Sequence, residues 1–129
     1  MAGDYATNKF SMIAGATFSS GDLYKGIEVD SSGHAVIGNT TDNSGLIVGT
    51  LYSFTATTSA AGVEPVLIGH GPVVKVNMAA STLAAGQTIG YSSAGLGIAP
   101  TTDSTAWGVI LSGSSGSAGR VATVIRTLG

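Results

Sequence analysis

Apolar and polar residues alternate along this chain in short runs. Val74, Val76 and Met78 are separated by Lys75 and Asn77, a period of two that lays one side of a strand against a core. Arg120–Arg126 alternates as well, with Val121, Thr123 and Ile125 on one face and Ala122 and Val124 on the other. Leu23–Val29, Ala35–Ile37, Leu46–Phe54, Val66–Ile68, Gln87–Tyr91, Leu96–Ile98 and Val109–Leu111 supply further strand-like runs. Turn-forming clusters at Asp30–Gly33, Ser59–Gly62, Ser92–Gly95 and Ser114–Gly119 punctuate them. Short strands with turns every ten residues or so predict an all-β fold, a small β-barrel or a sandwich. Asn77–Gln87 is the one helix-friendly stretch, with Ser81 as N-cap and Gly86 as stop. It is read as a short helical turn joining two halves.

Two halves are suggested by an internal echo. Ser31–Val48 can be laid over Ser92–Val109 without a gap, matching the Ser-Ser pairs, Ile37 with Ile98, Thr40-Thr41-Asp42 with Thr101-Thr102-Asp103, and Val48 with Val109. Two copies in a chain of this size imply two supersecondary units rather than a solenoid, which needs three or more. The expectation is two similar β-meanders packed into one fold. Matched positions are turn formers and apolar strand residues, so the duplication specifies a scaffold. Asp42 and Asp103 then read as turn caps.

Residues 1–20 lack clean alternation. Tyr5, Phe10, Met12, Ile13 and Phe18 are interleaved with small polar residues. Two readings stand side by side: a first strand tucked into the core, or an extended N-terminal arm that docks on another subunit by strand addition. The domain division taken forward is an arm at 1–20 and a single β domain at 21–129.

Composition narrows the function. Of 129 residues 43% are apolar, but only 9% are charged, far below the usual quarter or so. The exterior must therefore be built from Ser, Thr, Gly, Asn and Ala, a surface that packs against a large neighbour with little charge to desolvate. The net charge is −2 and the five bases, Lys9, Lys25, Lys75, Arg120 and Arg126, are scattered singly, which argues against nucleic acid as a partner. With no cysteine, disulfides and thiolate chemistry are excluded. Asp4 precedes the first base and Gly15 and Thr17 break the apolar stretch Met12–Phe18, so the start does not read as a signal peptide. No run approaches a membrane span. The expectation is a protein made in a cytoplasm.

Catalytic constellations are scarce. His34 falls in the Asp30–Ala35 turn and reads as an exposed hairpin residue, while His70, flanked by glycines in IGHGPV, reads as a structural hydrogen bonder. Gly113–Gly116 carries serines but no nucleophile elbow, for no helix follows. Asp22, Glu28, Asp30, Asp42, Glu64 and Asp103 fall mostly in turns. Asn39–Gly45 lacks the acid spacing of a calcium loop, and Trp107 reads as core. No enzyme, cofactor or metal site is expected.

What remains is a small Gly/Ala/Ser/Thr-rich β protein made for packing. Its order of segments runs GDLYKGIEVDSSGHAV (Gly21–Val36), GLIVGTL (Gly45–Leu51), GPVVKV (Gly71–Val76), AAGQTIGYSSAG (Ala84–Gly95), WGVIL (Trp107–Leu111) and GRVATVI (Gly119–Ile125). In that order the chain resembles the small capsid decoration proteins of tailed bacteriophages, also called cement or head-stabilising proteins. The likeness spans Gly21 to Gly129 and is one of pattern; the arm matches no motif of the family. It implies a structural virion protein on the capsid exterior, assembled in the host cytoplasm, with the major capsid protein and itself (as a homotrimer) as partners. Tyr5, Lys9, Phe10, Met12, Ile13 and Phe18 are the expected capsid or oligomer contacts. The alternative is a β-sandwich carbohydrate-binding or adhesin-like module of a surface or phage-tail protein. That reading calls for a row of exposed aromatics, and the three Phe, four Tyr and one Trp are spread thinly.

Overall fold

The computed structural model describes residues 8–38, 47–54, 65–79, 83–100, 106–112 and 120–126. The described chain is all-β apart from one 3₁₀ turn, with ten strands in two five-stranded sheets. β1 (Asn8–Ile13), β2 (Gly26–Val29), β3 (Ala35–Ile37), β4 (Gly49–Phe54) and β5 (Pro65–His70) form the first, in the order β1-β5-β4-β2-β3. The second comprises β6 (Val73–Met78), β7 (Thr88–Tyr91), β8 (Gly97–Ile98), β9 (Gly108–Ser112) and β10 (Arg120–Arg126). It closes into a barrel in the order β10-β6-β8-β7-β9.

Laid strand on strand, the two orders are the same: β1 corresponds to β6, β2 to β7, β3 to β8, β4 to β9 and β5 to β10. The duplication therefore spans the described chain, well beyond the segment where it is legible in sequence. Register supports this residue by residue. Phe10 and Leu51 flank Ile68 as Val74 and Ile110 flank Val124. Ile27 faces Gly49 as Ile89 faces Gly108. The two turns agree as well. Gly33 and Gly95 both take left-handed φ, +81° and +77°, and their N–H groups donate to Asp30 O and Ser92 O at 3.0 and 2.9 Å. Asp30 thus matches Ser92, one residue away from the ungapped sequence alignment.

Barrel closure also repeats. In the second unit Met78 pairs with Gly97 in parallel, and Ala79 N–H donates to Gly97 O at 3.0 Å. In the first, the same contact is reduced to an isolated parallel bridge between Ala14 and Ala35, with Gly15 N–H donating to Ala35 O at 2.8 Å. Side-chain volume is matched across each closure. A Cβ on Gly97 would lie 2.6 Å from Met78 Sδ, whereas the small Ala14 leaves room for Ala35. A β-bulge recurs too: the ladder skips Tyr52 between Leu51 and Ser53, and skips Leu111 between Ile110 and Ser112. Both bulged residues point outward, 36% and 38% exposed.

Each unit has its own core. Phe18, Ile27, Leu51, Val66 and Ile68 fill the first, and Val74, Val76, Met78, Ile89, Tyr91, Trp107, Ile110 and Val124 fill the second. Ile47 crosses between them. It comes from the first unit, just before β4, yet is buried in the second core. Its carbonyl accepts from Trp107 Nε1 and Arg126 Nη2, each at 3.3 Å. Backbone bonds Gly26 N to Gly95 O (2.8 Å) and Asn77 N to Tyr24 O (2.9 Å), and Thr50 Oγ1 to Lys75 O at 2.8 Å, complete the seam. Asn77 Nδ2 donates to Leu23 O at 3.3 Å. Its buried Oδ1 has no hydrogen-bond partner among the described residues, which offsets much of that gain.

Two sequence expectations differ from the structure. Asn8–Ile13, expected in an arm, is β1, paired antiparallel with β5 along its whole length. Phe10, Met12 and Ala14 face the first core while Lys9, Ser11 and Ile13 face out; short polar spacers hid the alternation. The junction of the halves is the turn at Gly71-Pro72, between β5 and β6, where Gly71 has φ +116°. It is not Asn77–Gln87, whose first residues belong to β6; Ser81 lies outside the described residues.

Two outcomes follow for stability. A Cβ on Gly49 would collide with the carbonyl of Gly69, and one on Gly108 would lie 2.6 Å from Ile125 O. Gly49→Ala and Gly108→Ala should each cost about 1–3 kcal/mol in urea unfolding, while Gly21→Ala, with open space around it, should stay within about 0.5 kcal/mol. Ile47→Ala should cost about 2–5 kcal/mol and shift Trp107 emission; an unchanged midpoint would show that the two cores are independent.

Candidate functional site

The exterior around the bulge of β4 gathers aromatic rings and cations. Lys9 points outward from β1 opposite Gly69 of β5, which in turn faces Thr50 of β4. Because Gly69 carries no side chain, Lys9 can reach across it, and its Nζ lies 4.3 Å from the centre of the Tyr52 ring. The bulge supplies the other half of this contact, by turning Tyr52 outward. Tyr52 meets Tyr24 edge to face, with centroids 6.4 Å apart. Lys75, from β6 of the second unit, has its Nζ 6.0 Å from the Tyr24 ring. The order on the surface is Lys9, Tyr52, Tyr24, Lys75, crossing the seam.

Tyr24 is held there at a cost. Its φ is +66°, the left-handed region, which costs a side-chain-bearing residue roughly 1–2 kcal/mol. Two backbone bonds impose it: Tyr24 N–H donates to Leu51 O at 2.7 Å, and Tyr24 O accepts from Asn77 N at 2.9 Å. Just before it, Ser19 and Asp22 cap the 3₁₀ turn Ser20–Asp22 reciprocally. Asp22 also pairs with Lys25 at 2.9 Å. Burial pushes the Asp22 carboxyl up, but the Ser19 N–H and Lys25 outweigh it and hold it below the usual range. Lys25 is thus neutralised, whereas Lys9 and Lys75 have no carboxylate partner among the described residues.

The expected contact residues separate. Lys9 and Ile13 are exposed on the outer face of β1. Phe10 and Met12 pack against the first core, with Phe10 edge to face on His70 at 4.9 Å. Phe18 is buried in that core, so the chain's own interior takes these three side chains. Tyr5 lies outside the described residues, as do Asp42, Glu64 and Asp103. The sequence reading missed Tyr24, Tyr52 and Lys75 as a group. No local motif links them; only the bulge, the left-handed residue and the seam bring them together.

Elsewhere the polar residues serve turns. Asp30 Oδ1 accepts from the N–H of His34 at 2.8 Å and of Ser32 at 2.9 Å. In the second unit Ser92 Oγ takes the same place, accepting from Leu96 and Ala94 at 3.3 and 3.2 Å. Trp107 is core, edge to face with Tyr91 at 5.2 Å and covered by Arg126 at 5.1 Å. Among the described residues no three His, Cys, Asp or Glu side chains converge as a metal site would require. No described helix is long and apolar enough to cross a membrane.

With this geometry the chain defines a class, an all-β protein of two tandem five-stranded units with one shared seam. The sequence matches no protein-family model and no curated protein. The fold is similar to that in the crystal structure of the head fiber gp8.5 N base of bacteriophage phi29, with a TM-score of 0.58 at 12% identity over 94% of both chains. At that identity the likeness is one of fold.

The Asp30 turn carries a pH signature. The His34 and Ser32 N–H groups hold its carboxyl below the ordinary value of 3.8, so the folded state binds its proton later than the unfolded state does. The stabilisation is complete above the ordinary value and is lost as pH falls through the lower, folded-state value. Asp30→Asn should flatten the fall of the melting temperature below about pH 4; an unchanged slope would show that the turn does not contribute.

Proposed function

We propose that this protein is a structural component of a bacteriophage virion. It sits on the outer surface of an icosahedral head, binds the major capsid protein and stabilises contacts between neighbouring capsid subunits. The observation that carries this reading is the similarity of fold, over 94% of each chain, to a phage head fiber base. The composition agrees: a chain with only 9% charged residues has an exterior that loses little hydration when it is covered by a large partner. On this reading the protein acts as a homotrimer, and Lys9 and Ile13, exposed on β1, belong to its contact surface.

The mechanism is linkage. A protein that binds the closed lattice, and not the dissociated subunits, stabilises the lattice by about 2.7 kcal/mol per site at a hundredfold excess over Kd. Many copies on one shell multiply the effect through avidity. The glycan-binding alternative gains nothing from the exposed Tyr52 or the half-buried Tyr24. A sugar platform needs an open ring face, and Lys9 and Lys75 lie over the rings of Tyr52 and Tyr24.

Purified protein should co-sediment saturably with undecorated heads of the phage that encodes it and raise their dissociation temperature. Analytical ultracentrifugation should show a trimer of the free protein. Heads that neither retain the protein nor gain heat stability would sink the proposal.

A further inference from the structure

We propose that the Lys9–Tyr52–Tyr24–Lys75 row is a docking surface for an acidic polypeptide segment. The inference rests on the virion reading only in naming the owner of that segment, a neighbouring virion protein.

Charge is the first argument. In a chain with five bases, two stand on one row without a carboxylate partner among the described residues, while nearby Lys25 is already neutralised by Asp22. Uncompensated cations on a net-acidic chain attract carboxylates, and do so over roughly a Debye length of 8–10 Å.

Preorganisation is the second. A free lysine loses side-chain freedom when it pairs with a partner. Here each ammonium already lies near an aromatic ring, at 4.3 Å for Lys9 and 6.0 Å for Lys75, within the range of cation–π attraction. Part of the ordering has thus taken place before the partner arrives. Tyr52 is turned outward by a bulge and Tyr24 is fixed by a left-handed backbone, so neither ring needs to move.

Chemistry of the rings is the third. Tyrosine is enriched at the energetic centres of protein interfaces, where its ring supplies area and its hydroxyl a hydrogen bond. Two tyrosines between two lysines suit a segment with carboxylates at its ends and uncharged residues between them. Nucleic acid suits the row less well, since two cations release few counterions and the affinity would be small.

The equivalent place in the second unit provides an internal control. Leu111 occupies the matching bulge and is as exposed as Tyr52, 38% against 36%.

The test uses fluorescence anisotropy of the full chain with two labelled peptides, one of alternating Glu and Ser and one of alternating Lys and Ser. The wild-type protein should prefer the Glu peptide, and binding should weaken as salt rises from about 50 to 300 mM. The double variant Lys9→Glu/Lys75→Glu should lose about tenfold or more, since each reversed surface charge is worth up to roughly fivefold. Tyr52→Ser should weaken binding, whereas Leu111→Ser should not. All four positions are at the surface, and matched melting curves would confirm folding. Equal binding of both peptides, or full affinity in the double variant, would overturn the proposal. So would displacement of the Glu peptide by duplex DNA at equal anion concentration, which would mark a general polyanion site. Head co-sedimentation of the same proteins separates the two claims. Failure of the wild-type protein to bind heads counts against the virion reading alone, while equal binding of wild type and double variant would overturn the docking surface.

Discussion

The burial of Ile47 is the contact on which the rest depends. A five-stranded unit of about half this chain is near the size at which a domain buries only about 60% of its unfolded surface and is marginal on its own. Neither unit can draw on disulfides, since cysteine is absent. The first unit therefore lends an isoleucine to the second core, and its carbonyl receives both the Trp107 indole and the Arg126 guanidinium. Arg126 is the last residue of the last strand, so the chain's closing strand is anchored to its first half. Glycine makes the close fit possible at this point: a Cβ on Gly26 or Gly38 would lie 3.2 or 2.6 Å from Ile47 Cδ1.

The fold was largely legible because the period of two survives wherever a strand has one wet face. Nine of the ten strands correspond to runs visible in sequence, β6 and β10 most clearly. β1 was obscured because Ser11 and Ala14 are small and Phe10 and Met12 are only partly covered. The ungapped echo points to a duplication but misses its register: Asp30 corresponds to Ser92 and Gly49 to Gly108, so Ile37 and Val48 are not the equivalents of Ile98 and Val109, and the rest of the repeat is hidden because the two cores are filled differently. Phe10 and Met12 correspond to Val74 and Val76, and Ala14 to Met78. Strand order and pairing persist while side-chain volume is redistributed, so the duplication is clear in register and faint in letters.

The candidate site was hardly legible. Lys9 alone was singled out, as part of an expected arm. Tyr24, Tyr52 and Lys75 come from a loop, a bulge and a strand of the other unit. A left-handed tyrosine has no sequence signature, and a bulge shows only in the ladder. The phi29 head fiber base has a similar fold at 12% identity, so the overall path of such a chain tolerates extensive change of sequence.

The paired bulges have a consequence for how such a scaffold acquires new surfaces. An extra residue in a ladder is released from the alternation that assigns its neighbours to core or solvent, so its identity is uncoupled from the packing on either side. Duplication places two such uncoupled positions on one molecule, each backed by a five-stranded sheet. One carries a ring that a lysine can cover; the other carries a plain aliphatic side chain. The scaffold thus holds two mounting points of identical backbone design that can diverge independently, so that a new exterior chemistry can be installed on one without loosening the strands that keep both units closed.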